Sequence, residues 1–181
     1  GAMMSGAVEA NLSPPYSREE GAQRSSEWGP RMLVTVDVPE LFETAESVLD
    51  ESALETLIVG QLSTMLPRLK GLAMKLLARS KIAKIQYSGE ILSWDAMLSG
   101  VNEAVQAGRL HPDLPQVAPD ALALLQYTGG TTGAPKGAML SHSNLSMNAQ
   151  QVASINPFDN AQDEVLMGGL PMFHVFANTA L

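Results

Sequence analysis

The chain contains no cysteine. Disulfide bonds, thiolate nucleophiles and zinc sites built on thiolates are therefore excluded, and the composition is compatible with a cytoplasmic protein. No apolar run reaches the length of a membrane-spanning helix, and no signal peptide is visible. Charged residues make up only 17% of the sequence, which indicates that part of the surface normally lies against more protein.

Positive charge is scarce, because 11 lysines and arginines stand against 19 carboxylates, a formal net charge of −8. An acidic chain of this kind is not expected to bind nucleic acid. Between Glu55 and Glu90, however, there is no acidic residue. This stretch holds six of the basic residues, which are Arg68, Lys70, Lys75, Arg79, Lys81 and Lys84.

Pro67 predicts the start of a helix through this basic stretch. Its leucines share one helical face with Met65, whereas Arg68, Lys75 and Arg79 share another. One interpretation is a weak contact of residues 67–84 with an anionic membrane surface, which would place the protein at the inner face of a membrane. The other is an ordinary solvated helix whose apolar side covers the sheet. The second is favoured, because one short helix binds lipid weakly.

Strands and helices alternate along the sequence, which indicates an α/β fold with a largely parallel sheet layered with helices. Residues 1–3 have the composition of a tag remnant, and residues 4–30 are expected to be poorly ordered. Residues 31–181 are expected to form part of one domain, truncated at its C-terminal end. The predicted strands are 32–38, 57–60, 91–94, 121–127 and 165–167, and the predicted helices are 39–50, 94–107 and from Ser141 or Ser143 to 155.

The stretch with the most chemical information is Tyr127–Gly137, whose sequence is YTGGTTGAPKG. It follows a near-continuous apolar run, residues 121–127, and is predicted to lead into a helix. Glycines let the backbone come close to a ligand, and successive N–H groups of such a loop make an anion-binding concavity. Threonine hydroxyls add hydrogen-bond donors and Lys136 adds a positive charge. Together these groups suit a polyphosphate.

The order of residues separates this loop from two common nucleotide motifs. The G-x-x-x-x-G-K-[ST] loop needs a serine or threonine after the lysine, where this chain has Gly137. The dinucleotide fingerprint G-x-G-x-x-G is absent. A flexible surface loop rich in turn-forming residues is the alternative interpretation. Phosphate binding is favoured over it, because the loop joins a buried strand to a helix and holds one lysine.

Tyr127–Gly137 resembles the signature of the adenylate-forming superfamily, which includes acyl-CoA ligases, luciferases and the adenylation domains of peptide synthetases. That signature is an aromatic residue, Ser/Thr, Ser/Gly, Gly, Thr, Thr, Gly, any residue, Pro, Lys and Gly, and every defined position is met. Three further stretches resemble family motifs, namely Asn11–Glu20, Gly137–Leu145 and Leu170–Phe176. The combination is most similar to bacterial long-chain fatty acyl-CoA ligases and covers the middle of the family's large domain.

The resemblance implies an enzyme that joins a fatty acid carboxylate to ATP, releases pyrophosphate and then transfers the acyl group to coenzyme A. It also implies Mg²⁺, with its ligand outside this chain. Lys136 and His174 would act in catalysis, His174 near the acyl carboxylate, although a core or surface histidine in an aromatic cluster is an equal interpretation. By the same resemblance, the residues that hold the ATP phosphates are Thr128, Gly129, Gly130, Thr131, Thr132, Gly133 and Lys136.

Most of the family's active site is expected beyond residue 181, so this chain alone is expected to lack complete ligase activity. The competing interpretation is a non-catalytic module that binds a lipid surface or a partner and reuses the enzyme fold. A truncated sheet would expose edge strands, and self-association is expected for that reason.

Overall fold

The computed structural model describes residues 2–11, 25, 27–109, 113–128 and 136–155. The chain divides into two compact units, with boundaries at Ser13/Pro14 and Pro112/Asp113. The predicted domain limits of 31 and 181 stay a prediction, because residues 156–181 lie outside the described part. In chain order the strands and helices are β1 Glu9–Ala10, β2 Met32–Val36, α1 Pro39–Glu51, β3 Thr56–Gly60, α2 Leu62–Met65, α3 Arg68–Leu77, β4 Ile91–Ser93, α4 Trp94–Gln106, β5 Leu122–Thr128, β6 Lys136–Ser141 and α5 His142–Ile155.

The unit that contains residues 27–109 is built on a three-stranded parallel sheet in the order β2–β3–β4. β3 lies in the middle, and its apolar sequence suits a strand that is covered on both faces. Leu57, Ile58 and Val59 are 0%, 2% and 0% exposed. The core of this unit is therefore centred on β3.

Helix α1 packs on this sheet. Pro39 occupies its first turn, where the missing N–H costs no hydrogen bond. Phe42 and Ala45, three residues apart on one face, are buried in a cluster with Leu57 and Val59. The predicted helix 39–50 is confirmed at Pro39–Glu51.

Helix α3 packs against α2 through the side of the helix that carries a glycine. Gly71 is its buried residue, and a Cβ atom there would collide with the carbonyl oxygen of Ser63. The leucines face away from this contact, since Leu69 is 83% exposed and Leu72 is 57% exposed. The favoured interpretation, in which the apolar side of the helix covers the sheet, is wrong. The physical reason is the close approach of two backbones, which only the glycine side of the helix permits.

The other unit holds a three-stranded sheet in the order β1–β5–β6. β1 runs parallel to β5, with Glu9 opposite Leu124, whereas β6 is antiparallel to β5. Glu9–Ala10 form a strand within residues 4–30, and the poor order expected of that segment as a whole stays a prediction. These residues are ordered by hydrogen bonds to β5, a partner that lies more than one hundred residues away along the chain.

Helix α5 starts directly after β6. The Ser141 hydroxyl accepts a hydrogen bond from the Asn144 N–H at 3.2 Å, and the Asn144 side-chain oxygen accepts one from the Ser141 N–H at 3.0 Å. This reciprocal pairing satisfies two N–H groups that would otherwise lack partners at the helix start. Of the two predicted capping residues, the structure therefore selects Ser141.

The predicted α/β fold, with parallel strands layered with helices, is confirmed. The predicted helix 94–107 is found at Trp94–Gln106, where the Ser93 hydroxyl caps its first turn. The predicted strand 165–167 lies outside the described residues. No helix in the described ranges is both long enough and apolar enough to cross a membrane.

Candidate functional site

The two ends of the motif Tyr127–Gly137 lie on neighbouring antiparallel strands. β5 ends at Thr128, β6 begins at Lys136, and these two residues are Cα partners. Residues 129–135 join the two strands and lie outside the described residues. The helix predicted from Ser141 or Ser143 after the loop is confirmed as α5, but β6, which lies between the loop and this helix, is not among the predicted strands.

Lys136 occupies the first position of β6 and is exposed. The strand ladder holds its backbone opposite Thr128, the first of the predicted phosphate-binding residues. Strand pairing thus brings the lysine of the motif beside the start of the Gly/Thr run, although eight positions separate the two in sequence. An ammonium group and the backbone N–H groups of a glycine-rich loop are both groups that bind phosphates.

The aromatic residue and the last glycine of the motif also face each other across the strands. Tyr127 is the Cα partner of Gly137, and its ring lies over the glycine. A Cβ atom on Gly137 would lie 3.0 Å from Cζ and 3.1 Å from Cε2 of Tyr127, closer than ordinary van der Waals contact. The absence of a side chain at Gly137 therefore makes room for the ring.

We expect Gly137→Ala to destabilise this hairpin by about 1 kcal/mol, because the added methyl group displaces the Tyr127 ring. Thermal unfolding of the parent, both single variants and the double variant Tyr127→Ala/Gly137→Ala measures the coupling between the two positions. In the Tyr127→Ala background the added methyl group should cost little, giving a coupling energy of about 0.5 kcal/mol or more. Additive effects would show that the ring does not require the glycine.

A buried polar side chain links the motif strand to the N-terminal segment. Gln126 is only 7% exposed, and its side-chain oxygen accepts a hydrogen bond from Asn11 Nδ2 at 3.4 Å. Its side-chain nitrogen donates to the carbonyl oxygen of Tyr127 at 3.3 Å. Gln126 is not among the predicted site residues, although a glutamine within the apolar run 121–127 is the signal that would have found it.

Several predicted site residues lie outside the described part of the chain, so their roles stay predictions. Of Thr128 only the backbone is described, as the last residue of β5. The predicted site residues that lie outside the described ranges are Gly129, Gly130, Thr131, Thr132, Gly133 and His174.

Two cavities lined by described residues lie in the unit that contains residues 27–109, and no motif residue lines either of them. The larger, of about 470 Å³, is bordered by Val38, Met74 and Lys81. The smaller, of about 230 Å³, is bordered by Asp37 and Lys75. Within the ranges that the structure describes, no group of His, Asp and Glu side chains is arranged to hold a metal ion.

Two bacterial long-chain-fatty-acid–CoA ligases are similar to this chain in sequence. The long-chain-fatty-acid–CoA ligase of Escherichia coli is 30% identical over 183 residues, which covers 99% of this chain and 31% of the relative. The enzyme of the same name from Bacillus subtilis is 26% identical and is covered to the same extent, 31%. The chain thus spans about a third of the length of these curated relatives.

Solved structures show the same fold at lower sequence identity. ATP-bound MatB from Rhodopseudomonas palustris superposes with a TM-score of 0.61 at 20% identity, over 98% of this chain and 28% of that one. The family model described as AMP-binding enzyme matches residues 1–181, the whole of the chain. The chain therefore belongs to the AMP-binding enzyme family.

Proposed function

We propose that this chain is the part of a long-chain fatty acid–CoA ligase that binds the phosphates of ATP. The observation that carries the proposal is the pairing of Thr128 with Lys136, which closes a hairpin whose connection is rich in glycine and threonine. The ammonium group of Lys136 and the backbone N–H groups of residues 129–135 would together hold the β- and γ-phosphates.

In the first proposed reaction, a carboxylate oxygen attacks the α-phosphorus of ATP and the bond to pyrophosphate breaks. Negative charge grows on the departing pyrophosphate, and donors fixed beside it lower the barrier. Lys136 would supply the positive charge for this step. In the second reaction the thiol of coenzyme A attacks the acyl carbon and AMP leaves. His174 is proposed to orient the carboxylate in the first of these reactions.

The fatty acid substrate is supported by the names of the E. coli and B. subtilis relatives, of which this chain covers 31% each. ATP is supported by the ATP-bound MatB structure, which shares the fold. Mg²⁺ and coenzyme A follow from the family alone. The ligand of Mg²⁺ is proposed, on the same ground, to lie outside this chain.

Calorimetric titration of the chain with ATP and Mg²⁺ tests the proposal. We expect saturable binding of ATP. Inorganic triphosphate should compete with ATP and adenosine should not, because the motif is expected to bind the phosphates. The alternative function, a non-catalytic module that binds a surface or a partner, predicts no ATP binding at all. Absence of saturable heat with ATP and with triphosphate would favour that alternative.

Self-association and a place in the cytoplasm or at the inner face of a membrane stay predictions. β6 is an edge strand among the described residues, and its Met139 is 70% exposed. Such an edge offers unpaired N–H and C=O groups to a second copy of the chain.

A further inference from the structure

Helix α3 leaves its leucines exposed on the surface of this chain. Leu69, Leu72 and Leu76, named here the leucine stripe, are 83%, 57% and 59% exposed. At about 100° per residue they lie on the side of the helix opposite Gly71, which is buried against α2. An amphipathic helix of a globular protein has the reverse arrangement, with its leucines toward the core.

The apolar surface extends beyond the stripe. Leu77, the last residue of α3, is 87% exposed, and Met65, which precedes the helix, is 57% exposed. Single exposed leucines need no explanation, because folded proteins carry many of them. A contiguous apolar surface on one helix is different, since such patches mark sites of interaction.

Basic side chains border the leucine stripe on both sides. Arg68 and Lys75 project from one flank of the helix and Lys70 from the other, and all three are exposed. Two further lysines, Lys81 and Lys84, follow the helix. Within the described part of the chain no ion pair joins any of these residues to a carboxylate. The region therefore carries positive charge on a protein whose net charge is −8.

We propose that α3 docks on an anionic lipid bilayer, with the leucine stripe entering the boundary between headgroups and acyl chains. The basic residues on both flanks would then contact lipid phosphates, because long basic side chains reach from an apolar helix to charged headgroups. A lipid surface suits this helix, because a bilayer offers an apolar layer to the leucines and phosphates to the basic residues that border them. This inference goes beyond the proposed function and does not depend on ATP binding.

Co-sedimentation with vesicles tests the proposal. The full 181-residue chain is mixed with vesicles of equal parts phosphatidylglycerol and phosphatidylcholine, and separately with phosphatidylcholine alone. We expect binding to the anionic vesicles to be at least about tenfold stronger, because each basic residue near the surface contributes about fivefold. Raising the salt from about 0.05 M to about 0.5 M should weaken this binding by a similar factor.

The variant L69S/L72S/L76S removes the stripe, and we expect it to lose binding by about tenfold or more. The variant L98S/V101S/V105S is its matched control. It changes three apolar residues of α4 at the same helical spacing, each 42% exposed, on a helix without basic residues. This control should bind anionic vesicles as well as the parent does.

A second readout covers the case in which the triple serine variant unfolds. Leu69→Trp places a fluorophore at the most exposed position of the stripe and should shift its emission to the blue on anionic vesicles. Equal binding to both vesicle types, a control as defective as the stripe variant, or unchanged emission would each overturn the proposal. The proposal would also be overturned if the parent did not bind vesicles and light scattering showed that it is an oligomer, whereas the stripe variant is a monomer. The stripe would then be a contact with a second copy of the chain.

Discussion

Replacing Lys136 with alanine is expected to lower the affinity of the chain for ATP by about ten- to a hundredfold. A hydrogen bond to a charged group contributes about 1.5–3 kcal/mol, and about 1.4 kcal/mol corresponds to a factor of ten in affinity. The strand ladder fixes the backbone of Lys136 opposite Thr128, so the loss should come from the side chain alone. Calorimetric titration with ATP measures the effect.

Lys84→Ala provides the control for this experiment. Lys84 is also exposed, but it belongs to the other compact unit and is not part of the motif. The substitution Lys84→Ala removes one positive charge, as Lys136→Ala does, so a general electrostatic effect would appear equally in both variants. Equal ATP affinities for the two variants would contradict the role assigned to Lys136.

Replacing Gly71 with alanine is expected to overpack the contact of α3 with α2 at a cost of about 1–3 kcal/mol, for a net destabilisation of up to about 2 kcal/mol. The new methyl group would collide with the carbonyl oxygen of Ser63, so α3 must move away from α2. This cost should exceed the gain of about 1 kcal/mol that alanine brings to a helix interior. Urea unfolding followed by circular dichroism gives the change in the free energy of unfolding.

Gly100→Ala is the matched variant, because Gly100 lies in the interior of α4 and, apart from the neighbouring backbone of this helix, no atom lies within 4 Å of the added Cβ. We expect this change to stabilise the same unit by about 0.5–1 kcal/mol. The two substitutions are chemically identical and differ only in what surrounds the methyl group. A stabilising effect of Gly71→Ala, like that expected of Gly100→Ala, would show that α3 does not pack on its glycine side.

Much of the fold follows from local signals in the sequence. Pro39 and the spacing of Phe42 and Ala45 predict α1, and the hydroxyl of Ser93 begins α4 as expected of a capping residue. The apolar run of β3 predicts a strand, and the structure contains this strand, buried in the middle of its sheet. These features depend on residues that are close together in the chain.

The structural features that the sequence does not predict depend on contacts between residues that are distant in the chain. β6, with the sequence KGAMLS, has few residues that favour strands, and it is ordered by its pairing with β5. β1 has only two residues and likewise depends on β5. For α3, the leucines predict an inward face, but the contact of Gly71 with Ser63 turns that face outward.

The sequence predicts phosphate binding for the candidate site, and this role stays a prediction, whereas the arrangement of the site residues could not be predicted. The glycines, threonines and lysine of Tyr127–Gly137 indicate phosphate binding by their chemistry and their order along the chain. The pairing of Thr128 with Lys136, and of Tyr127 with Gly137, depends on strand register. Register is set by the whole hairpin, so no short motif reveals it.

The central claim is that the hairpin connection holds the phosphate tail of ATP, and phosphorus NMR tests it most directly. Adding the chain to ATP should shift or broaden the β- and γ-phosphate resonances more than the proton resonances of the adenine ring. Lys136→Ala should reduce this effect. Phosphate resonances that stay unchanged while the adenine resonances shift, or no change in either, would contradict the claim.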